Sequence, residues 1–381
     1  MATLPHANDI NVAAFSQLFA STTNSYKLIF FKAILNKLKE SNLAINHNEM
    51  VTFTFNDLAE EMVALCWYPQ QFFHLSFGIQ DQTNAVLDKL VFDPNKIVVT
   101  NPNTYKELRK AIKQQFNDIN AIELLTYVPY RLLSPFFSAE LRGQKDAVKN
   151  SLTAQLADTH FDSVKPLYKI STIKNNKFIS IHPDWLQYIY SNLAIVEYWC
   201  DFSLVLYLQK RNPNTPAISS KIQPPLKRIS LSKQQKSWQI ALSNKPTYCI
   251  YTGDKFSATD KTVYALDHYM PWSLVAHDQL WNLIPVTSSA NSSKSNHIPH
   301  HYYIDKMIEQ QFHLVTQTKL VFSSLQWQKS MVDHATDLRL SFDELQNPNS
   351  FERALHSTLT SLTATGTQMG FGANWLYNRR E

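Results

Sequence analysis

Between Asp267 and Ser295 the chain sets out side chains able to move protons and to hold a hard cation. Asp267 and His268 are adjacent and lead into Tyr269-Met270-Pro271; Asn282 stands fourteen positions after His268, Asn291 nine further on, and Lys294-Ser295 closes the series. An imidazole titrates near neutrality, so it can take a proton from water and later release it. Carboxylate and amide oxygens suit Mg²⁺ or Mn²⁺. A hard cation beside a base can supply a nucleophilic water, neutralise charge on a transition state and help an oxygen leave, the requirements of a hydrolysis.

The elements that must position these groups are short. Val263 to Asp267 is β-branched and aromatic enough for a strand, Trp281 to Val286 suits a second, and Ser288 onward can open a helix. Neighbouring residues on an ideal strand point to opposite faces, so Asp267 and His268 can serve one site only if the strand ends or twists there. Tyr269-Met270-Pro271 offers such a break.

Residues 248 to 299, with the Asp-His pair, x-x-Pro, the two spaced asparagines and Lys-Ser in order, resemble the HNH nuclease family. The resemblance implies a ββα-metal fold with a divalent ion, Mg²⁺ or Mn²⁺, between the first strand's end and the helix. It implies Asp267 and Asn291 as metal ligands, His268 as general base, and Asn282 as the amide that pins the intervening loop and orients the histidine. Lys294 would either reach the phosphate or leaving group, or be a solvated helix lysine. The blander readings are a capped turn for Asp267 and His268 and a helix N-terminal residue for Asn291. Many relatives carry two cysteine pairs around a structural zinc. Here Cys249 is followed by Thr252 where a partner would stand, and no cysteine comes later, so a four-cysteine zinc is not expected. Trp238, Trp272 and Trp281 are the expected braces instead, and His297, His300 and His301 lack the cysteine or carboxylate company of a metal site.

The remaining sequence restricts the other classes of function. Six glycines, at 78, 143, 253, 366, 370 and 372, allow neither a G-x-G-x-x-G turn nor a Walker loop. Three separated cysteines and an N-terminus without a basic, apolar leader read as a cytoplasmic protein. The net charge is +5, yet no Asp or Glu lies between Asp201 and Asp254, and Lys210, Arg211, Lys221, Lys227, Arg228, Lys233, Lys236 and Lys245 fill that interval. Such a track is the footprint of a polyanionic partner, and equally the composition of a solvated linker. Lys227, Arg228, Lys233 and Lys236, with Lys294, are the expected substrate contacts.

The pattern predicts an α+β chain, mainly α: a helical recognition or partner domain over 1–210, a basic Pro-containing connector over 211–235, the HNH module over 236–300 and a helical extension over 301–381. Within the first domain, helices are expected over 12–19, 26–39, 58–67 with an Asn56-Asp57 cap and a stop at Pro69, 84–90, 105–116 and 119–132. A hairpin is expected over 167–182, then one long buried helix from Pro183 to about Lys210. The extension should be helical over 303–322 and 350–362, with a Gly-punctuated tail from Gly366. Thr22-Thr-Asn-Ser-Tyr-Lys and Tyr207-Leu-Gln-Lys-Arg-Asn-Pro-Asn resemble bacterial HNH proteins, some of them in anti-phage or mobile-DNA defence systems. DNA is the expected partner, with defence-system proteins and a homodimer also open and no membrane. Two other functions stay open: a silent nucleic-acid-binding adaptor, and an RNA-cleaving nuclease using the same site.

Overall fold

The computed structural model describes residues 4–41, 50–93, 103–224, 230–256 and 264–378. The chain is α+β and mainly helical, with one three-stranded and two two-stranded sheets among those residues. It divides into two compact units, one of residues 1–213 and 218–226, the other of 214–217 and 227–381.

In the first unit, α1 (Tyr26–Glu40) buries Leu28, Phe31, Leu35 and Leu38 at the spacing its sequence suggests. Strand β1 (Thr52–Thr54) runs directly into α2 (Phe55–Trp67). The cap of α2 is Thr54, whose hydroxyl and the Asp57 carboxylate form a capping box, rather than Asn56-Asp57. Pro69 does not stop the helix either. It occupies the first turn of a π-helical segment, Tyr68–Phe72, where a missing N–H costs little. Helices α3 (Asn103–Gln114) and α4 (Asp146–Thr159) follow. The helix expected over 119–132 is broken, because Asn120 is left-handed and Pro129 restarts the chain; a 3₁₀ turn, Ala121–Leu125, and a short helix, Val128–Arg131, replace it.

Strands β2 (Tyr168–Ile173) and β3 (Asn176–Ile181) form the hairpin, its turn made by Lys174 and Asn175 at φ 47° and 66°. Two positive φ values match the right-handed twist of the strands. The distant β1 pairs with β3, setting Thr52 opposite Ser180 and giving the order β1-β3-β2. The long helix is in fact two, α5 (Pro183–Ser191) and α6 (Leu193–Arg211), because Asn192 turns its amide back onto the Tyr188 carbonyl at 2.9 Å. Nor is α6 buried all round: Val196, Cys200, Leu204 and Leu208 face the core, while Ile195, Tyr198, Phe202 and Leu206 form an exposed stripe. Among the described residues, no helix is long and apolar enough to cross a membrane.

The second unit starts at α7 (Ser232–Asn244) and continues through β4 (Thr247–Tyr248), β5 (Lys255–Phe256), β6 (Ala265–His268), β7 (Leu283–Val286) and α8 (Ser288–Lys294). Then come α9 (Ile304–Val321), α10 (Val332–Leu338) and α11 (Pro348–Gln368). One core runs through these elements: Trp238 of α7, Ile284 of β7, Leu314 of α9, Trp327 of the short helix Ser324–Ser330 and Phe351 of α11 belong to the same buried cluster. Gly366, expected in the tail, lies inside α11. A Cβ there would stand 2.6 Å from Ile298 Cδ1 and 2.8 Å from Leu274 Cδ2, so its helix can approach the preceding segment only because the side chain is absent.

Gly366→Ala should therefore destabilise this unit by about 1–3 kcal/mol, the range for overpacking, read as a lower denaturant midpoint. His334 of α10 is fully buried against Phe351, and burial presses its pKa down to about 3. Unfolded histidine titrates near pH ~6.5. Below that pH the unfolded chain therefore takes up a proton that the folded chain refuses. Stability should be fully present above ~6.5 and fall as pH drops towards the folded value, by up to ~1.4 kcal/mol per pH unit. Thermal melts at pH 7 and pH 5 should show a larger fall for the wild type than for His334→Gln.

Candidate active site

Strand β6 pairs antiparallel with β7, with Asp267 opposite Ile284 and His268 opposite Leu283. It ends at His268, where the Tyr269 N–H donates to the Asn282 carbonyl at 2.8 Å. Asn282, completely buried, then clasps the next residue from both sides: the Met270 N–H donates to Oδ1 at 2.8 Å, and Nδ2 donates to the Met270 carbonyl at 3.0 Å. The side chain thus closes the loop that leaves the histidine.

Asp267 and His268 diverge, as strand neighbours must, and each meets its own partners. The Asp267 carboxylate is 4% exposed. The Lys294 ammonium donates to it at 3.2 and 3.1 Å from Oδ1 and Oδ2, and the Tyr251 hydroxyl donates to Oδ2 at 3.3 Å. Burial pushes the Asp267 carboxyl above its usual range, while the Lys294 charge, the His268 ring and the Tyr251 hydroxyl pull it back. Tyr251, whose own ionisation is driven far up by burial and by Asp267, stays a phenol and a donor.

Lys294 departs from the solvated helix lysine that its spacing allows. It is fully buried at the last turn of α8, where a cation suits the helix dipole, and it also donates to the His268 carbonyl at 2.7 Å. One ammonium therefore ties the helix to both residues of the Asp-His pair. Asn291 sits three residues earlier on α8, half-buried, and residues three apart share a helix face, so it lies on the side turned to β6.

His268 Nε2 lies 2.8 Å from Asp278 Oδ1. A carboxylate accepts, so Nε2 carries the hydrogen, and in the neutral ring it is Nδ1 that holds the lone pair. Asp278 has no role in the sequence reading; its signal was a carboxylate in the loop four residues before Asn282. The Asp278 carbonyl in turn accepts from Gln234 of α7 at 2.9 Å, on the helix that exposes Lys233 and Lys236. Lys227 and Arg228 lie outside the described residues, and Lys221 of the basic interval is buried in the first unit, its pKa lowered to about 7 by burial.

The support comes from tryptophans and from the C-terminal helices. Trp238 Nε1 donates to the Leu283 carbonyl at 3.0 Å, and Trp281 Nε1 donates to Asp337 Oδ2 at 2.6 Å. Gln311 of α9 donates to the Leu280 and Leu283 carbonyls, at 3.2 and 2.8 Å, on either side of Asn282. Its Oε1 accepts from His334 Nε2 at 3.0 Å. Tyr251 is packed by Tyr303 and Trp375, each at 5.0 Å between ring centroids, and Trp375 is held by backbone bonds to Ile298 and His300. His297 and His300 have structural partners: His297 Nδ1 lies 2.9 Å from the Lys294 carbonyl, and His300 Nδ1 caps Tyr302 N–H, while the exposed His301 lies with its ring 4.0 Å from that of His300. Cys249 is buried in the core.

The pattern of residue types over this stretch matches the family model of the HNH endonucleases across residues 249–300. Over these residues the chain is similar to an HNH endonuclease module. The match extends to no other part of the chain. No curated protein and no solved structure matches it. A match of this kind points to nuclease activity on nucleic acid.

Among the described residues, no three His, Cys, Asp or Glu side chains stand together as a metal cluster. A hard cation at this HNH site would draw on Asp267, on the Asn291 amide and otherwise on water and phosphate oxygens, the habit of Mg²⁺. The donor set fits, because the buried Asp267 charge is only partly compensated by Lys294. Asn282→Ala would strip partners from both polar groups of buried Met270. It should cost about 2–6 kcal/mol, taking 1–3 for each of the two buried groups left unsatisfied, measured by urea denaturation.

Proposed function

We propose that this protein is a metal-dependent endonuclease that hydrolyses DNA phosphodiester bonds, with His268 as general base, Asp267 and Asn291 as metal ligands, and Asn282 and Lys294 as positioning residues. The observation that carries the reading is the contact between His268 Nε2 and Asp278, because it leaves Nδ1 as the nitrogen able to accept a proton from water. Asp278 also stabilises the imidazolium formed once that proton has moved, as a carboxylate does behind a catalytic histidine. Bound by Asp267 and Asn291, a divalent ion supplies charge neutralisation at the phosphate and at the leaving oxygen. Lys294 opposes the effect of burial and favours the charged form of Asp267, the form a cation would take as ligand. Asn282 holds the loop so that the histidine meets the scissile phosphate in one orientation.

One such site cuts one strand, so the product is a nick unless two copies or two events combine. The chemistry needs no 2′-hydroxyl and so discriminates neither polymer; DNA is the substrate we propose, and the exposed Lys233 and Lys236 next to Gln234 suit a phosphate backbone near the Asp278 loop. The loose resemblance of the N-terminal segments to defence-system proteins suggests anti-phage defence as the setting.

The test is conversion of supercoiled plasmid to nicked or linear form with Mg²⁺ or Mn²⁺, run beside single-stranded DNA and structured RNA. Wild type should nick DNA and stop in EDTA. His268→Ala should lower the rate by about 10²–10⁴-fold, the span of general-base contributions. Asp278→Asn should lower kcat by about 10–100-fold with KM little changed, as expected for an orienting partner. Undiminished cleavage by His268→Ala would sink the assignment, cleavage confined to RNA would move the substrate, and inactivity on every polymer would favour a silent adaptor.

A further inference from the structure

The first unit holds a cavity of about 480 Å³ that the nuclease chemistry does not use. Lys27 of α1, Arg131 of the short helix Val128–Arg131, Arg142 and Lys149 of α4 all line it, and no carboxylate does. Ser134 and Ser138 add hydroxyl donors, and Pro135 and Leu141 add an apolar surface. Four cations drawn from separate elements onto one concavity repel one another, and burial together with the charge of Arg131 lowers the pKa of Lys27.

Two of the cations are held in place by polar neighbours. Arg131 Nε donates to Asn150 Oδ1 at 3.1 Å, and the Lys27 ammonium donates to the Ser21 carbonyl at 3.2 Å. The carboxylate in contact is Asp146, largely exposed, at 2.9 Å from Lys149 and 3.4 Å from Arg131. One solvated anion at the margin does not balance four cations.

We infer that this cavity is a second, non-catalytic binding site for a phosphorylated ligand of nucleotide size, its phosphates met by Lys27, Arg131, Arg142 and Lys149. A guanidinium fork and ammonium groups beside serine hydroxyls form the donor set that phosphate oxygens take. The volume falls within the ~300–1,000 Å³ of small-molecule sites, which leaves space for a sugar or base over Pro135 and Leu141. The phosphates belong either to a free nucleotide or to the end of a nucleic-acid strand. The site lies wholly in the first unit and stands or falls independently of the cleavage reading.

The experiment is calorimetric titration of the full chain with inorganic pyrophosphate in EDTA, so that no strand is cut. Wild type should bind one pyrophosphate, more weakly as salt rises, and Lys27→Gln/Arg131→Gln should weaken binding at least tenfold. Arg142→Gln, at an exposed position outside any helix, keeps the test valid if the first pair fails to fold; it should also weaken binding, by severalfold. Competition then identifies the source: displacement by ATP assigns a free nucleotide, and displacement only by a 5′-phosphorylated oligonucleotide, not by its 5′-hydroxyl twin, assigns a strand end. Absence of pyrophosphate binding at millimolar concentration, binding unchanged in folded variants, or displacement by none of these ligands overturns the proposal.

Discussion

The second unit is organised around one buried charge. A carboxylate removed from water must be paired and hydrogen-bonded or it will not stay ionised. Asp267 meets that demand with Lys294 and Tyr251, which come from opposite ends of the HNH module. Because Lys294 also holds the His268 carbonyl, the pair that balances the charge docks α8 onto the end of β6. The helix that carries Asn291 is thereby placed by electrostatics as much as by apolar packing.

This module lacks the four cysteines that would let a metal brace its loops, and a wider helical frame supplies the support. Gln311 spends both amide hydrogens on carbonyls that flank Asn282, and His334 fixes which way that amide points. Trp375 presses on Tyr251 from the far end of the chain, held there by backbone bonds to residues 298 and 300. The close passage of α11 at Gly366 belongs to the same frame. The HNH stretch is therefore one side of a core that continues to Phe371.

The first unit handles charge by sharing. Glu61, 1% exposed, is met by Asn36 of α1 and by Tyr105 and Arg109 of α3, and Lys32 is buried against Asp201. Each ties one helix to another, as the aromatic stack of Phe15, Trp185 and Trp199 does by packing. Its exposed stripe on α6 shows why an apolar run alone does not determine burial: periodicity identifies two faces of a helix, while the neighbouring elements decide how many of them are covered.

Much of the active site was legible in the chain itself, because its chemistry needs particular residue types at short range. The Asp-His pair, the break after it, the two strands and the helix with Asn291 all follow from local spacing and turn chemistry. So did the hairpin, since two residues at its turn can adopt positive φ. What tertiary structure alone decided are the partners that arrive from far away in sequence. No local pattern could bring β1 to β3, nominate Gln311 and His334 as supports of Asn282, or lay Trp375 on Tyr251. Lys294 shows the division most clearly. Its position on α8 was readable from the sequence, but its burial was not, because only the folded approach of α8 to β6 makes Asp267, rather than water, the nearest place for its charge.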